Sequence, residues 1–471
     1  MLEAPSILIK RAELIDKMGS ARVKDVRFCG DTITAVGELS PAANERCVDA
    51  DGGLLIPGLN DHHVHLASYA ASLQSVRCGP PDIHCESELI EAINRPGSGW
   101  LRGTGFQEDV CPDLDRAWLD QNGPARPVRI QHRSGRLWIF NTLAIEAVRA
   151  AAADLAPHEQ VRVSRTDGLY YDADEILGGL IQSEAPPIRQ ASQRLAELGV
   201  TGLNDMTPTN DIKAWDWFVS LQHSGDLLQR VRMSGRSELS TQQKLPGLVC
   251  GEVKVHLHDT VLPEFEGFVD LICNSHSLGR GVAVHCVTEV ELVFTLAAFR
   301  AAGAIKGDRI EHASVMPFEL VEQLVELGLG VVTQPNFVRE RGDVYLRDIP
   351  SGQHDSLYRV RSLGDQGVPM AFGTDLPFGD PDPWAAMRAA TERRTLGGQC
   401  LGEQETVSPE QALLGFLGSL ENPFVERTVT VGAEADLCLL KAPWQTVRLD
   451  LAAHHLRLTV SRGKIISGPD S

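Results

Sequence analysis

The middle of the chain, residues 58–426, alternates short apolar runs with segments whose apolar residues recur at helical spacing. Val282–His285, for example, precedes a helical pattern over Glu289–Ala302, and Arg309–His312 precedes another over Phe318–Leu327. Such alternation is typical of βαβ units on a parallel sheet. This many units favours a closed (β/α)8 barrel over an open sheet, although periodicity alone cannot close a barrel.

Both ends of the chain differ from this middle, because they read as short strands separated by glycine and polar turns. Strands are predicted at Ile7–Lys10, Val26–Phe28, Thr32–Val36, Thr428–Val431, Asp436–Leu440 and Leu456–Val460. Chain ends often lie close together in a domain. We therefore expect residues 1–57 and 427–471 to form one small β domain beside a barrel over 58–426. Residues 67–186 fit the barrel pattern less well, and we interpret them as an insertion over the barrel mouth.

Composition excludes several classes of function. The 471 residues include 44 lysines and arginines against 63 aspartates and glutamates, which gives a net charge of −19. So acidic a chain is a poor partner for nucleic acid or anionic lipid, which require clustered basic residues. No apolar run approaches the roughly 18–20 residues of a membrane span, and no signal peptide is read at the N-terminus. The ten cysteines form no C-x-x-C pair, which indicates reduced thiols and a cytoplasmic protein.

The strongest local signal is the segment Pro57–Leu66, which carries His63 and His65 at the end of an apolar strand. Residues two apart on a strand share one face, and imidazole nitrogen is a good ligand for zinc and its neighbours. The same spacing also occurs in histidine-rich turns without a metal. His62 would point to the opposite face and is not expected to be a ligand.

Three further predicted strands end in residues of the types that bind metals. His285, His312 and Asp375 each follow a short apolar run. In an α/β barrel, polar residues at the carboxyl ends of strands converge on the active-site face. Each residue alone is more often a buried or capping residue, but four such strand ends in order predict a metal site.

Lys254 lies between apolar residues of another predicted strand, where a charged ammonium is costly to bury. An ammonium has no lone pair for a metal, whereas reaction with CO2 would give a carbamate whose two oxygens can bridge two cations. A buried lysine–aspartate pair is the alternative interpretation. His256 and His258 share the face of Lys254. One of them could therefore reach a substrate, with His258 as the candidate, although packing roles also fit the pattern.

These candidate ligands resemble the metal-binding set of the amidohydrolase superfamily, which includes urease, dihydroorotase and phosphotriesterase. The set comprises His63, His65, Lys254, His285, His312 and Asp375. Pro57–His65 is similar to the first-strand motif of the superfamily, and Gly432–Leu437 is similar to its C-terminal G-x-x-A-D-L signature. The resemblance spans most of the chain.

Finer features resemble the branch of this superfamily that includes N-substituted formamide deformylases. They lie in the segments Arg126–Ala144, Arg309–Ala313 and Gly373–Pro377. That branch usually has histidine after the glycine of a D-G-H segment, whereas this chain has arginine in Ser134-Gly135-Arg136. Arg136 would then recognise a different substrate group, such as an anionic one.

The resemblance implies a (β/α)8 barrel, a small β-sandwich built from both chain ends, and two divalent metal ions. The ligands would be His63, His65 and Asp375 for the more buried ion, His285 and His312 for the other, and carboxylated Lys254 between them. A hydroxide that bridges the ions would attack an amide, formamide, carbamate or cyclic amide, with Asp375 as general base and then general acid. Zinc is the default metal, and the ligand types also allow cobalt, manganese or iron.

Other functions stay open on the sequence alone. A mononuclear deaminase of a nitrogen heterocycle would not need Lys254 as a ligand, and a carbamate, thiocarbamate or ester hydrolase could use the same site. From a different class, some relatives of such hydrolases have lost their ligands and serve as structural or assembly proteins. The intact ligand set argues against that class. The expected partner is a small-molecule substrate, and a homo-oligomer is compatible with the sequence.

Overall fold

The structure is a computed structural model that describes residues 6–15, 21–43, 45–80, 82–156, 160, 163, 165–181 and 186–469. The chain divides into two compact units. The first unit comprises residues 1–65 and 188–471 and contains three sheets, and the second comprises residues 66–187 and contains one sheet.

The strands fall into four sheets. In chain order they are β1 (Ser6–Ile15), β2 (Ala21–Cys29), β3 (Thr32–Gly37), β4 (Arg46–Asp49), β5 (Leu55–Pro57), β6 (Leu59–Val64), β7 (Val76–Arg77), β8 (Leu101–Phe106), β9 (Val128–His132), β10 (Leu137–Phe140), β11 (Leu169–Tyr171), β12 (Val200–Asp205), β13 (Arg230–Gly235), β14 (Leu248–His256), β15 (Val282–Cys286), β16 (Arg309–His312), β17 (Gly330–Thr333), β18 (Met370–Phe372), β19 (Leu437–Leu440), β20 (Leu456–Ser461) and β21 (Lys464–Ser467).

Helices connect most of these strands. The α-helices are α1 (Leu66–Ser72), α2 (Glu86–Ile93), α3 (Arg116–Asn122), α4 (Thr142–Ala151), α5 (Asp174–Leu180), α6 (Ile188–Glu197), α7 (Ile212–Ser224), α8 (Phe265–Ser277), α9 (Glu289–Ala302), α10 (Val321–Leu327), α11 (Asn336–Asp348), α12 (Arg361–Asp365), α13 (Pro383–Glu392), α14 (Pro409–Leu414) and α15 (Trp444–Val447). Short 3-10 helices lie at Ala152–Asp154, Ser237–Thr241, Phe318–Leu320, Ser351–Ser356, Glu403–Glu405 and Ala453–His455. No helix in the described part of the chain is both long and apolar enough to cross a membrane.

Eight parallel strands form the barrel, in the spatial order β6, β12, β13, β14, β15, β16, β17 and β18. The two end strands meet, because the Asp375 N–H donates to the His63 carbonyl at 2.9 Å and the His65 N–H donates to the Leu376 carbonyl at 2.9 Å. The predicted (β/α)8 barrel is therefore confirmed.

Apolar helix faces cover the outside of the barrel. One buried cluster joins Val284, Ile310 and Val331 of the strands to Leu292, Phe299 and Leu324 of the helices. Full burial of each such side chain contributes about 1.5–3 kcal/mol before the entropy of folding is subtracted. The helix predicted over Glu289–Ala302 is α9. It begins where Thr288 and Glu291 form a reciprocal capping box, which satisfies two free backbone N–H groups.

Both chain ends build the β-sandwich of the first unit. One sheet has the order β3–β2–β1–β4 and the other has the order β21–β20–β19–β5. Because β5 pairs antiparallel with β19, residues from both ends share one sheet. Ile9 and Phe28 of the first sheet share a core with Leu437 and Val460 of the second. The expected sandwich of both ends is confirmed, while its boundaries at residues 57 and 427 stay a prediction.

One strand prediction was wrong. Thr428–Val431 is rich in β-branched residues but forms no strand. The preceding Arg427 N–H donates to the Leu417 carbonyl, and the following Gly432 N–H donates to the Ile33 carbonyl. Val431 is 62% exposed. This segment therefore only connects the barrel to the sandwich, since a strand needs a neighbouring strand as well as a suitable composition.

The second unit has a mixed five-stranded sheet with the order β11–β10–β9–β8–β7. The strands β7, β8 and β9 are parallel, and β10 is antiparallel to both of its neighbours. One core of this unit includes Leu89, Trp118 and Ile130, and a second includes Phe140 and Tyr170.

Candidate metal centre

The residues predicted as metal ligands all lie at the carboxyl ends of barrel strands. His63 lies in β6, His65 directly follows its last residue, and Asp375 lies beyond the end of β18. Lys254, His285 and His312 lie in β14, β15 and β16. Because the strands are parallel, these ends share the face on which barrel enzymes carry their active sites.

Three of these side chains form a close group. His63, His312 and Asp375 each have a ligand-type atom, and these atoms lie within 4.8 Å of one another. His65 adjoins the group, because its Nε2 lies 3.3 Å from Oδ1 of Asp375. Nε2 of His63 lies 3.6 Å from the same oxygen. Four of the six predicted ligands therefore meet around the Asp375 carboxylate.

A neighbouring side chain fixes each histidine of this group through the Nδ1 atom. Nδ1 of His63 lies 2.6 Å from Oε2 of Glu311, and Nδ1 of His312 lies 2.7 Å from Oε1 of Gln334. Nδ1 of His65 lies 3.1 Å from Oγ1 of Thr207. Such contacts select the tautomer that leaves Nε2 with a free lone pair, as in most protein metal sites.

Glu311 is part of a buried network of charges. Its Oε1 accepts a hydrogen bond from Nε of Arg309 at 2.5 Å, and Nη1 of Arg309 lies 3.1 Å from Oε1 of Glu252. Glu252 in turn accepts from Nη2 of Arg232 at 2.9 Å. Burial alone would raise the pKa of Glu311, but Arg309 and His63 keep that pKa well below its usual value. His63 therefore faces a carboxylate rather than a carboxylic acid.

The backbone around Asp375 is tightly constrained. A Cβ atom on Gly373 would lie 2.5 Å from Cβ of His63, so only glycine allows the chain to pass this close. Thr374 then donates to Asp61 from its backbone N–H at 3.0 Å and from its hydroxyl at 2.6 Å. Asp375 and His312 adopt left-handed conformations with φ of 57° and 70°. Such conformations are strained for non-glycine residues and persist where the surroundings impose them.

Burial keeps three histidines of the site neutral. It lowers the pKa of His312 to about 3, and it lowers the pKa of His63 and of His285. Burial would raise the pKa of Asp375, but His63, His65 and His312 together bring that pKa below its ordinary value. Neutral imidazoles around an ionised carboxylate are the protonation states that bind a divalent metal.

Lys254 is a buried amine without a hydrogen bond. The residue is 7% exposed, and no described residue accepts a hydrogen bond from Nζ. Burial lowers the pKa of Lys254 to about 8, although the charges of Glu311 and Asp375 act in the opposite direction. A substantial fraction of this amine is therefore neutral near physiological pH.

Histidine rings continue from this group along the strand ends. Ring centroids lie 4.6 Å apart for His63 and His312, 4.5 Å for His312 and His285, and 4.0 Å for His285 and His256. His258 follows at 4.5 Å from His256. His285 thus adjoins the close group through His312. The ring nitrogens of His285 and His256 form no hydrogen bond with a residue in the described ranges.

The other predicted residues lie elsewhere. His62 faces away toward Gly418, and neither of its ring nitrogens has a hydrogen-bond partner among the described residues. Arg136 belongs to the second unit, where its Nε and Nη2 donate to the Asp172 carboxylate at 2.9 and 2.7 Å. The roles predicted for Arg136 and His258 in substrate binding stay predictions.

The residues that orient the candidate ligands were not predicted from the sequence. Glu311 and Thr207 contact histidines that are distant in the chain, and Gln334 directly follows the barrel strand next to that of His312. The available signal was the pattern Arg309-Ile310-Glu311-His312, because two opposite charges two residues apart in an apolar strand share a face.

The donor set fits a divalent metal. Oδ1 of Asp375 and Nζ of Lys254 are buried without a hydrogen-bond partner among the described residues. Leaving such polar groups buried and unsatisfied costs about 1–3 kcal/mol each. A cation beside the carboxylate, and carboxylation of the lysine, would remove that penalty. The nitrogen and carboxylate donors are those of zinc and similar metals.

A parallel barrel that gathers histidines, a lysine and an aspartate at the carboxyl ends of its strands is the architecture of a metal-dependent hydrolase. The chain belongs to the amidohydrolase family, whose sequence profile matches residues 46–467. The family resemblance predicted from the motifs is thereby confirmed.

Similarity to individual proteins supports this family membership. The chain is 24% identical over 438 residues to the N-substituted formamide deformylase of Arthrobacter pascens, which covers 79% of this chain and 80% of that protein. It is similar in structure to an uncharacterized metal-dependent hydrolase from Pyrococcus horikoshii, with a TM-score of 0.76, 19% identity and coverage of 98% and 99% of the two chains. A second such hydrolase, from Pyrococcus furiosus, gives a TM-score of 0.67, 20% identity and coverage of 87% and 93%.

Proposed function

We propose that this protein hydrolyses an amide-like C–N bond, such as that of an amide, formamide, carbamate or cyclic amide. The observation that carries the proposal is the meeting of His63, His65 and His312 around the partly unpartnered carboxylate of Asp375. The similarity to a deformylase of N-substituted formamides supports a C–N bond as the target.

The proposed centre contains two divalent ions, with zinc as the default. His63, His65 and Asp375 would bind one ion, and His285 and His312 would bind the other. The 4.5 Å separation of the His285 and His312 rings supports their pairing. When bound, the ions would lower the pKa of a water molecule between them and polarise the scissile carbonyl group.

Carboxylated Lys254 would lie between the ions. The neutral amine adds to CO2 through a new N–C bond, and the resulting carbamic acid loses a proton to become a carbamate anion. The lowered pKa of the buried Lys254 supplies the neutral amine that this reaction needs. The anion would offset part of the repulsion between two cations.

Asp375 is the proposed general base and general acid. It would accept the proton of the attacking water at its carboxylate, while the new C–O bond forms at the carbonyl carbon. It would then deliver that proton to the leaving nitrogen as the C–N bond breaks. His65 contacts Oδ1 of Asp375 at 3.3 Å and would keep the carboxylate in place during both transfers.

Elemental analysis and a substrate panel test the proposal. The purified protein should contain about two metal ions per chain, and the loaded protein should hydrolyse some members of a panel of amides, formamides, carbamates and cyclic ureas. One ion per chain would favour the mononuclear deaminase, and none would favour the structural relative.

The division of the chain into domains belongs to the same proposal. Residues 1–57 and 427–471 would form the sandwich domain, residues 58–426 the barrel, and residues 67–186 an insertion that determines specificity.

Arg136 would contact the substrate, so Arg136→Ala should raise KM without changing the metal content. Unchanged kinetics would leave Arg136 as a structural partner of Asp172.

All ten cysteines are free thiols, as is usual in the cytoplasm, where we place the protein.

A further inference from the structure

Arg341 is an arginine of α11 whose guanidinium group is only partly engaged by the protein. Its Nη2 donates to the Phe378 carbonyl at 2.7 Å, and its Cζ lies 3.8 Å from the ring centroid of Phe337. The side chain forms no other hydrogen bond with the described residues. The remaining guanidinium nitrogens are not closed off from solvent.

Phe378 connects this guanidinium group to the metal centre. The Phe378 N–H donates to the Asp375 carbonyl at 2.8 Å, and the Phe378 ring lies 5.5 Å from the His65 ring. The charge of Asp375 is also among those that raise the pKa of Arg341 against the effect of burial. Arg341 therefore lies beside the candidate active site, on the side of Asp375 and His65.

No carboxylate of the described residues lies within 4.0 Å of the Arg341 guanidinium group, although Asp375 and Glu340 are near enough for their charges to raise its pKa. Other buried arginines are more fully paired: Arg309 contacts Glu252 and Glu311, and Arg359 contacts Glu405 at 3.0 Å. Arg280 and Arg393 instead donate to several backbone carbonyls each, whereas Arg341 donates to one. Glu340 is next in sequence but accepts hydrogen bonds from Asn336 and the Asp380 N–H. The guanidinium nitrogens of Arg341 that form no hydrogen bond are therefore open to an anion, which would compensate the partly buried charge.

Hydroxyl groups accompany the guanidinium group. Tyr345 follows Arg341 by one turn of α11, and its hydroxyl lies 3.1 Å from that of Tyr358. Oγ of Ser314 donates to the Tyr358 hydroxyl at 2.9 Å, and Ser314 lies just beyond His312 of the metal centre. A guanidinium edge next to phenol hydroxyls is a suitable set of donors for a carboxylate.

We propose that Arg341 binds an anionic group of the substrate, and that the substrate is an amide that carries a carboxylate near the scissile C–N bond. This inference rests on the proposed hydrolysis of a C–N bond. It assigns the anion-binding role to the barrel, in addition to any contribution from Arg136.

Matched ligand pairs test the inference. N-acyl amino acids and their carboxamides differ only in the negative charge, and calorimetry measures the binding of both to the metal-loaded protein. The wild-type protein should bind the acid about 10–100-fold more tightly, the range expected for a charged hydrogen-bonded pair. Arg341→Gln should abolish this preference. Arg339→Gln, an exposed arginine of the same helix, should retain it.

The outcomes separate the inference from the proposed function. A wild-type protein without preference, or an Arg341→Gln protein that keeps the preference, would overturn the inference. If the glutamine variant fails to fold, Arg341→Lys decides, because a point charge without the planar fork should reduce the preference but not remove it. Turnover of the same pairs is measured separately. Tight binding of the acids, together with no hydrolysis of these pairs or of the amide, formamide, carbamate and cyclic urea panel, would reject the C–N hydrolase and retain the anion site.

Discussion

Two regions of the barrel site differ in how the protein pairs their polar groups. The base contains Glu311, Asp375 and the histidines around them, and the rim contains Arg341, Glu340 and His256. At the base, Glu311 lies between Arg309 and His63, and a neighbouring side chain engages Nδ1 of His63, His65 and His312. At the rim, Arg341 has one carbonyl partner, and the ring nitrogens of His256 have no hydrogen bond with any residue of the described ranges. Both regions contain buried or half-buried polar groups. The base pairs its histidines internally but leaves Oδ1 of Asp375 and Nζ of Lys254 without a hydrogen-bond partner among the described residues, whereas the rim leaves its donors open.

This difference indicates which groups are preorganised and which await a ligand. A metal site gains affinity when its ligands need not reorient on binding, because the protein then loses little side-chain entropy. A substrate site instead needs donors that the folded protein leaves open. The base therefore has the properties of a permanent cation site, and the rim has those of a surface that recognises a substrate.

The largest expected effect is that of Asp375→Asn at the base. An amide cannot accept the proton of water, so kcat should fall by about 10²–10⁴-fold while circular dichroism shows an intact fold. Metal analysis of the same variant shows whether it has also lost a metal ion. The exposed Asp365→Asn is the control. More than a tenth of the wild-type kcat would reject the role of Asp375.

Lys254→Ala should remove one or both ions and most of the activity, since no bridging anion can form. Apo-protein of the wild type should take up metal more completely when bicarbonate is added, whereas the alanine variant should not respond. A short carboxylic acid could restore part of its activity by occupying the vacated bridging position. The exposed Lys244→Ala is the matched control. An unmodified Lys254 in an active crystal structure would reject the two-metal centre and favour the mononuclear deaminase.

Glu311→Gln tests whether the buried charge network around Glu311 orients the candidate ligands. The amide keeps a hydrogen-bond acceptor for His63 but removes the negative charge, and Arg309 retains Glu252. Metal affinity, measured by competition with a chelator, should fall by about 10–100-fold. Glu326→Gln removes a carboxylate from a surface ion pair with Arg300 and should change nothing measurable. An unaltered affinity for Glu311→Gln would show that the buried network only stabilises the fold.

The smallest effect concerns stability at the rim. Burial raises the pKa of Glu340 from 4.5 to about 7. A carboxyl with a raised pKa stabilises the folded state fully below pH 4.5, and this contribution disappears as the pH rises through 7. Glu340→Gln keeps the acceptor oxygen and does not titrate. Its free energy of unfolding relative to wild type should therefore increase by up to about 3 kcal/mol over this interval.

Chemical denaturation at several pH values between 4 and 8 gives the relative stabilities of the two proteins. The exposed Glu319→Gln serves as the control and should show no such dependence. A constant difference between Glu340→Gln and wild type would mean that Glu340 is ionised throughout. Glu340 could then act as a nearby counter-charge for Arg341, and the contrast between base and rim would weaken.

The candidate ligands could be named from the sequence because their placement depends on local geometry. His63 and His65 share a face through the two-residue period of a strand, and Asp375 follows the last barrel strand directly. Glu311 and Gln334 were not predictable, because their roles depend on which strands become neighbours and on side-chain reach across them. Arg341 was missed for a related reason: its proposed role depends on how few of the described residues its guanidinium group contacts, which no sequence pattern reports.

The closure of the barrel also affects how the protein is made. Asp61 and Thr374, which join the first and last barrel strands, are separated by 313 residues. At the usual 5–20 residues per second, the ribosome adds Thr374 roughly 15–60 s after Asp61. During that time His63 and His65 have left the ribosome without Asp375 and His312. A nascent chain that still lacks Asp375 therefore cannot complete this centre, and a chelator or a mismatched ion can compete for the early histidines during this interval.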